Sequence, residues 1–235
     1  MMRADKYLVE QGLFESRNRA LDAIKRGKVF INGKVAKPAT KCDKDSHIDI
    51  DQEKFYVSRA AKKLELFLEA YPLDLQDKHA LDIGSSTGGF VQILLEHNVD
   101  AVTAVDVGSN QLHHSLRDNP KVRLFEEMDI RAFQSDRLFD IVTCDVSFIS
   151  ILQIIDAIHR LATADMILLF KPQFEVGRGI KRDSKGVVID QQAIQEATQR
   201  FEAKTRALGW ELCYSTPSKL AGKSGNIERV YHFKK

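Results

Sequence analysis

The stretch of residues 81–90, with the sequence LDIGSSTGGF, constrains the fold more than any other part of this chain. Apolar residues lead into an acid, a glycine-rich turn follows, and residues 90–96 have the apolar character of a helix. A strand, a tight loop and a helix in this order open a nucleotide-binding α/β unit. The sequence therefore predicts an α/β fold with a parallel sheet around this loop.

The spacing of the glycines indicates which ligand the loop suits. Gly84, Gly88 and Gly89 stand at offsets 0, 4 and 5, whereas a dinucleotide fingerprint has glycines at offsets 0, 2 and 5. Asp82 precedes the loop, and Asp106 follows a second predicted strand, where a carboxylate can hold both hydroxyls of a ribose. An acid, a glycine-rich loop and a second acid suit S-adenosylmethionine, which carries a ribose but no pyrophosphate. The predicted cofactor-binding residues are Asp82, Gly84, Ser85, Ser86, Thr87, Gly88, Gly89, Phe90, Asp106, Asp129 and Asp145.

Two of these assignments have simpler alternatives. A glycine-rich loop after a strand is in many proteins an ordinary β–α turn. Asp129 follows the third predicted strand, where it can meet an adenine or cap a helix instead.

Charge is distributed unevenly along the 235 residues, although the whole chain has a net charge of only +2. Residues 1–63 carry 15 Lys and Arg against 9 Asp and Glu, whereas residues 64–235 carry 20 against 24. A basic amino-terminal module on a mildly acidic body favours a polyanionic partner, with an ordinary solvated basic surface as the alternative.

The three cysteines lie far apart without metal-ligand spacing, and neither a leader segment nor an apolar span is visible. We therefore expect a cytoplasmic protein that has no contact with a membrane.

The amino-terminal module has the patterns of a small α+β domain. Residues 3–27 predict two short helices, with Ser16 as a helix cap. A strand at residues 28–31, an Asn32-Gly33 hairpin turn and a strand at residues 47–50 follow. Basic residues cluster on the helices, as suits the phosphates of RNA.

Four segments of this module, in a fixed order, resemble the S4 RNA-binding domain. They are RADKYL at residues 3–8, SRNRA at 16–20, IKRGKV at 24–29 and INGK at 31–34. The resemblance implies that the two helices present basic side chains to structured RNA. A basic loop at residues 177–186 is a further candidate. The RNA-binding candidates are Arg3, Lys6, Arg17, Arg19, Lys25, Arg26, Lys28, Arg178, Lys181 and Arg182.

The rest of the chain alternates strands and helices, and charged residues stand where the strands end. Asp145 follows the strand at residues 139–144, and Lys171 follows the very apolar strand at 165–170. If the last strand is antiparallel to the others, Glu228 lies at the same edge of the sheet. Lys63, on a helix that begins near Arg59, can join them there. Two lysines and two carboxylates are thus expected to converge beside the cofactor loop, without a metal.

A second resemblance covers this body. The matching segments are SRAAKKL at residues 58–64, DIGSSTGGF at 82–90, CDVSFI at 144–149 and KPQFE at 171–175. They look like FtsJ-type ribose 2′-O-methyltransferases, and with the S4-like module the chain is similar to the TlyA family of ribosomal RNA methyltransferases, historically called haemolysins. The implied architecture is a class I, Rossmann-like methyltransferase sheet behind an S4 domain. Its implied parts are an S4-like domain at 1–52, a linker at 53–57 and a methyltransferase domain at 58–235.

The resemblance also implies a catalytic set. Carried over position by position, its Lys-Asp-Lys-Glu residues are Lys63, Asp145, Lys171 and Glu228. Where the family usually reads Arg-Gly-Gly-Leu-Lys, this chain reads RAAKK, so Lys62 competes with Lys63. The leucine that follows favours Lys63. Lys171 would act as general base and Asp145 would orient it.

The activity implied is methylation of a cytidine ribose in 23S ribosomal RNA of the large subunit, with no obligate protein partner. Longer members also modify 16S RNA, and we expect this chain to be of the shorter, single-target type because no terminal extension is visible. The alternatives are a base methyltransferase on the same scaffold, a pore-forming haemolysin and a catalytically idle RNA-binding protein. The first lacks its Pro-Pro motif after Asp145, and the second lacks a visible secretion signal.

Overall fold

The chain folds into two compact units, Met1–Phe55 and Tyr56–Lys235. The structure is a computed structural model, and it describes residues 1–51 and 54–235.

The segment expected to be a linker, residues 53–57, begins at Glu53, which lies outside the described residues. At its other end, Tyr56 and Val57 pack against an apolar core of the larger unit. The Val57 amide also donates a 2.9 Å hydrogen bond to Gln92 Oε1. The end of the expected linker is therefore part of the larger unit.

The smaller unit has both of the helices that its sequence predicts. Its elements are β1 (Met2–Arg3), α1 (Ala4–Glu10), α2 (Arg17–Lys25), β2 (Val29–Ile31), β3 (Lys34–Val35), β4 (Lys41–Cys42) and β5 (Ile48–Ile50). Strands pair in the order β3-β2-β5, all antiparallel, and β1 pairs with β4. The β1–β4 pair has no counterpart in the sequence analysis, because two-residue strands are too short to show a period.

Local chemistry explains the ends of these elements. The Ser16 hydroxyl accepts a 3.4 Å hydrogen bond from the Arg19 amide, which confirms Ser16 as the cap of α2. Asn32 and Gly33 have φ values of 51° and 73°, the left-handed conformation that a tight hairpin turn requires. Leu8 and Ile24 face a small apolar core between the helices and the sheet.

The larger unit alternates strands and helices. Its elements are α3 (Arg59–Ala70), β6 (His79–Ile83), α4 (Gly89–Glu96), β7 (Ala101–Val105), α5 (His114–Arg117), β8 (Val122–Phe125), β9 (Phe139–Cys144), α6 (Ile155–Leu161), β10 (Ala162–Phe170), α7 (Pro172–Glu175), α8 (Gln191–Ala207), β11 (Glu211–Pro217) and β12 (Arg229–Lys234). They form one sheet in the order β11-β12-β10-β9-β6-β7-β8. The pairs from β10 through β9, β6 and β7 to β8 are parallel, and β12 is antiparallel to both of its neighbours. This confirms the α/β class and the reversed last strand.

The sequence pattern of residues 150–162 predicts one helix, but the structure divides this segment. A short 3₁₀ turn at Ile151–Gln153 comes first, and α6 starts only at Ile155. Ser150 caps the 3₁₀ turn by accepting a hydrogen bond from the Leu152 amide. The chain enters β10 directly after α6, three residues earlier than its apolar run suggests.

Helices cover both faces of the sheet, so its central strands are buried on both sides. In β10, every residue from Met166 to Phe170 is at most 1% exposed. Phe201 of α8 packs in the core on one face, whereas Leu64 of α3 packs in the core on the other. Such two-sided burial is typical of parallel sheets and explains why this strand reads as a continuous apolar run.

The chain leaves β6 and β9 in opposite directions across the sheet. From β6 it goes to β7 and β8 on one side, and from β9 it goes to β10 on the other. The carboxyl ends of β6 and β9 therefore flank the point where strand order reverses. A crevice opens at such a point, and α/β proteins bind their ligands there.

In the described residues, no helix is long and apolar enough to cross a membrane.

Gly89 allows α4 to begin against the first turn of α3. A Cβ atom at this position would lie 2.7 Å from the Ala61 amide nitrogen and 3.0 Å from the Ala60 Cβ. Backbone atoms cannot move aside as a flexible side chain can. The close approach of the two helices thus depends on the missing side chain.

We expect Gly89→Ala to lower the free energy of unfolding of the larger unit by about 1–3 kcal/mol, the usual cost of overpacking. Gly179→Ala is the control, because a Cβ atom there meets nothing within 4 Å. Thermal melts followed by circular dichroism measure both variants. A melting temperature of Gly89→Ala equal to that of Gly179→Ala would contradict this account of the contact.

Candidate active site

Charged residues from four parts of the chain meet at the carboxyl edge of the sheet. Asp145 follows β9, and Lys171 follows β10. Because Phe170 pairs with Arg229 in the antiparallel β10–β12 ladder, Glu228 lies at this same edge. Lys63 reaches it from the first turns of α3.

The four side chains form two ion pairs. Lys171 Nζ lies 2.6 Å from Asp145 Oδ1, and Lys63 Nζ lies 2.5 Å from Glu228 Oε2. The side chains are only 9% and 13% exposed in the first pair and 10% and 3% in the second. Burial raises the pKa of Asp145, and the positive charge of Lys171 opposes that rise. The structure therefore brings together all four residues of the expected set.

Lys62 and Lys63 have separate surroundings. Lys62 Nζ donates 3.1 Å hydrogen bonds to the Tyr56 hydroxyl and to Glu65 Oε2. Lys63, one residue further along α3, points to Glu228 instead. Of the two lysines, Lys63 is the one beside the other charged residues.

Two polar side chains that the sequence analysis missed support the ion pairs. The Ser147 hydroxyl accepts a 3.0 Å hydrogen bond from Lys171 Nζ. Gln173 Nε2 donates a 3.1 Å hydrogen bond to Glu228 Oε1. Both residues lie inside the segments that carry the FtsJ resemblance, but neither is titratable, so a search for acids and bases passes over them.

Two adjoining cavities open beside these residues. The first, of about 540 Å³, is lined by Lys63, Asp82, Asp145 and Lys171 and by much of the glycine-rich loop. The second, of about 400 Å³, is lined by Asp106 and Asp129 and by apolar side chains. Its apolar wall includes Ile83, Val105, Met128, Ile130 and Ile149.

The two cavities share Gly84, Ser86, Asp145 and Ser147 on their walls. One elongated ligand can therefore extend across both. Glu228 is not part of either wall, but its ion-pair partner Lys63 lines the first cavity.

The glycine-rich loop forms the wall between β6 and α4. Gly84 has a φ of 77°, and a Cβ atom there would lie 3.0 Å from Val146 Cγ1. Gly84 thus lets the loop pass close to the segment that follows Asp145. Gly88 lies outside both cavities. A Cβ atom there would overlap Leu112 and Leu116, so a glycine at this position lets these two leucines pack against the loop. The other loop residues expected to bind the cofactor line the first cavity, namely Ser85, Ser86, Thr87, Gly89 and Phe90.

Asp82 carries an unusual carboxylate on the floor of the first cavity. It is 1% exposed, and its Oδ1 accepts a 2.6 Å hydrogen bond from the Thr143 hydroxyl. Within the described part of the chain, Oδ2 has no hydrogen-bond partner. Burial raises the pKa of Asp82 to about 7, and the negative charges of Asp145 and Asp106 add to the rise. An orphaned carboxylate oxygen of this kind is complementary to a cationic ligand group.

Asp106 and Asp129 lie in the second cavity, each with partners of its own. Asp106 accepts hydrogen bonds from the Ser86 and Gly108 amides, at 2.8 and 2.7 Å. Asp129 Oδ2 lies 2.5 Å from Arg131 Nη2, and hydrogen bonds from Arg131 lower the pKa of Asp129 to about 2. A turn, and not a helix, comes directly after Asp129. Asp129 caps this turn, because its Oδ1 accepts a 2.9 Å hydrogen bond from the Arg131 amide.

The basic residues expected to bind RNA have unequal exposure. Lys28 and Arg182 are half-buried, and Arg182 donates hydrogen bonds to the Gln173 and Gly177 carbonyls. Arg182 therefore also holds the backbone that follows Lys171. The remaining candidates are exposed, namely Arg3, Lys6, Arg17, Arg19, Lys25, Arg26, Arg178 and Lys181.

Comparisons with known proteins divide the chain as the two compact units of the structure do. Residues 56–235 match the FtsJ-like methyltransferase family, and residues 2–48 match the S4 domain. A solved structure from Streptococcus thermophilus superimposes with a TM-score of 0.72 at 34% sequence identity, and it covers 100% of this chain and 88% of its own.

Three curated relatives are similar over nearly the whole chain. The Campylobacter jejuni 23S rRNA (cytidine-2′-O)-methyltransferase TlyA is 46% identical over 99% of both chains. The Mycobacterium tuberculosis 16S/23S rRNA (cytidine-2′-O)-methyltransferase TlyA is 38% identical over 96% of this chain and 87% of its own. A Brachyspira hyodysenteriae protein named Hemolysin A is 38% identical over 99% of both chains. This chain therefore belongs to the TlyA family, in which an S4 domain precedes an FtsJ-like methyltransferase domain.

Proposed function

We propose that this chain transfers a methyl group from S-adenosylmethionine to the 2′-hydroxyl of a cytidine ribose in ribosomal RNA. The observation that carries the proposal is the paired set of Lys63, Glu228, Lys171 and Asp145 beside two adjoining cavities. A chain of this family with that arrangement has both a cofactor site and a group that can take a proton.

The residues of the cavities fit S-adenosylmethionine. The second cavity combines the carboxylates of Asp106 and Asp129 with an apolar wall, which suits the ribose and the adenine of the cofactor. In the first cavity, the orphaned Oδ2 of Asp82 suits a cationic group such as the cofactor's amino group. When bound, S-adenosylmethionine supplies a methyl group on a positively charged sulfur that a ribose oxygen can attack.

The proposed base is Lys171. A ribose hydroxyl is a poor nucleophile until its proton is removed. Lys171 can accept that proton at Nζ once its ammonium group has itself lost a proton and become a neutral amine. Asp145 and Ser147 both contact this Nζ atom, so they fix its direction. With both contacts made inside the protein, Nζ has little freedom to turn away from the hydroxyl.

Lys63 has a positioning role in this proposal. Its ammonium group lines the first cavity, where it can hold the polar groups of the ribose and the adjoining phosphate. Glu228 pairs with Lys63 and does not line either cavity, and Gln173 donates a hydrogen bond to Glu228. Glu228 thus acts through Lys63, and its removal is expected to be milder than the removal of Lys171.

The base-methyltransferase alternative finds less support. Cys144 would be the nucleophile for attack on a pyrimidine ring, but it is 0% exposed within the apolar core. Burial raises the pKa of this thiol to about 12, so a thiolate is scarcely populated at neutral pH. The pore-forming alternative rests on the name of the Brachyspira hyodysenteriae relative, and the paired lysines and carboxylates favour an enzyme instead.

We infer that the target lies in 23S RNA of the large ribosomal subunit, and hence in the cytoplasm where ribosomes are assembled. The relative named for 23S RNA alone is 46% identical to this chain, and the one named for both RNAs is 38% identical. The exposed basic residues of the smaller unit and of the loop at residues 177–186 are the proposed RNA contacts.

Lys171→Arg is expected to abolish methyl transfer, with a loss of at least about 10²-fold in rate. Arginine keeps the positive charge beside Asp145 but cannot accept a proton. Transfer of tritiated methyl groups to a 23S RNA transcript measures the rate, and calorimetry measures cofactor affinity. Activity within a few-fold of the parent would remove Lys171 as the base.

Lys63→Ala and Lys62→Ala form a matched pair of neighbouring substitutions. We expect Lys63→Ala to be severely impaired in methyl transfer, because it removes a cation from the cavity and leaves Glu228 unpaired. Lys62→Ala should retain most of the activity, since Lys62 contacts Tyr56 and Glu65 instead. Equal loss in the two variants, measured by the same methyl-transfer assay, would contradict the assignment.

Affinity for S-adenosylmethionine should fall as the pH falls below about 7. The cationic cofactor binds the ionised form of Asp82, whose pKa is about 7 because of burial. Lowering the pH from 7 to 6 leaves about fivefold less of that form. Calorimetry should show this weakening for the parent, whereas Asp82→Asn should bind weakly at both pH values. A parent affinity that is the same at pH 6 and pH 7 would count against an Asp82 contact.

A further inference from the structure

Asp5 is a fully buried carboxylate in the smaller unit. It is 0% exposed and accepts hydrogen bonds at both of its oxygens. Arg3 Nε donates to Oδ1 at 3.0 Å, and Arg17 Nε donates to Oδ2 at 2.6 Å. The two arginine side chains remain 49% and 50% exposed. One buried acid therefore holds two guanidinium groups that face solvent.

Asp5 has one more cationic partner than its single negative charge needs. A buried carboxylate needs a cation beside it, and one arginine meets that need. With two arginines, the cluster keeps a net charge of +1 at the surface. Burial by itself would raise the pKa of Asp5, but the hydrogen bonds and charges of Arg3 and Arg17 outweigh it, so the pKa lies below its usual value. Asp5 is thus ionised at neutral pH, and both arginines stay paired with it.

The two helices set the positions of these side chains. Arg3 is the residue before α1, and Asp5 lies in the first turn of α1. Arg17 is the first residue of α2, whose start is fixed by the Ser16 cap. The contact to Asp5 thus joins the beginning of one helix to the beginning of the other. If either guanidinium swings away, one buried oxygen of Asp5 loses its charge-assisted hydrogen bond.

Each arginine uses the same edge of its guanidinium group. Among the described residues, the hydrogen bonds that Arg3 and Arg17 donate to Asp5 come from Nε. With Nε committed to Asp5, the two terminal Nη groups still offer a phosphate two parallel N–H donors. Since Asp5 already fixes both side chains, binding through Nη loses little conformational entropy.

We propose that Asp5 is a positioning residue that holds Arg3 and Arg17 together as a clamp for the phosphodiester backbone of RNA. The proposal rests on RNA being the substrate, as argued above, and it names the part of the smaller unit that grips the backbone. The clamp contacts phosphates only, so it contributes affinity and orientation without reading sequence.

For Asp5, the proposal and simple electrostatics predict opposite effects on RNA binding. Removal of an acid from a basic surface normally strengthens binding to a polyanion. Removal of Asp5 should weaken binding instead, because the two arginines lose the carboxylate that orients them. A matched control exists in Asp22, an exposed acid on α2 that pairs with Arg26 at 3.0 Å. Asp5→Asn and Asp22→Asn change the net charge equally.

The test measures binding of a 23S RNA transcript by filter binding at fixed salt. Asp5→Asn should raise the Kd about tenfold, as expected for the loss of oriented, charge-assisted hydrogen bonds. Asp22→Asn should leave the Kd unchanged or lower it. In the methyl-transfer assay, the effect of Asp5→Asn should fall on the KM for RNA and not on kcat. A Kd for Asp5→Asn equal to or below that of the parent would overturn the clamp.

If Asp5→Asn fails to fold, Arg17→Lys tests the same proposal. Lysine still pairs with Asp5 and keeps the charge, but it lacks the second set of donors that grips a phosphate. Its Kd for the transcript should rise several-fold with an unchanged melting temperature, and an unchanged Kd would overturn the proposal. A parent that binds the transcript without methylating it would overturn the proposed function, while the comparison of the variants would still decide the clamp.

Discussion

The candidate active site depends on the mutual compensation of buried charges. Four charged side chains that are at most 13% exposed stand at one edge of the sheet, as two lysines and two carboxylates in pairs. A single buried charge is costly, so each member of a pair is stable there only because of the other. They come from α3, from the ends of β9 and β10 and from the residue before β12. The reversed direction of β12 is what brings Glu228 to the edge that holds the other three.

The two cavities at this edge suit two different parts of the proposed reaction, cofactor binding and proton transfer. The cavity lined by Asp106 and Asp129 has the apolar wall and the acids that suit an adenosine, whereas the cavity lined by Lys63 and Lys171 has the groups that suit a ribose and a proton transfer. Asp145 borders both cavities. In the proposed reaction, the carboxylate that orients the base therefore also lies beside the cofactor, which couples the position of the acceptor oxygen to that of the methyl donor.

The sequence predicts the parts of the fold that have strong local patterns. The strand and glycine-rich loop before α4, the hairpin turn at Asn32 and the cap at Ser16 each follow from a few adjacent residues.

Features that depend on contacts between distant segments were missed. These include the β1–β4 pair and the support that Ser147 and Gln173 give to the ion pairs. Sequence alone also left Lys62 and Lys63 as competitors, because adjacent residues of a helix differ only in direction, and the position of Glu228 separates them. Asp5 stands in a basic segment that reads as solvated surface, and only the packing of α1 and α2 reveals its burial.

The central claim is that the methyl group goes to a ribose oxygen of ribosomal RNA. It is tested most directly by mass spectrometry of nucleosides from a 23S RNA transcript that has been incubated with the protein and S-adenosylmethionine. We expect 2′-O-methylcytidine, with the mass increment on the sugar fragment. A methyl group on the base fragment, or no methylated nucleoside at all, would contradict it.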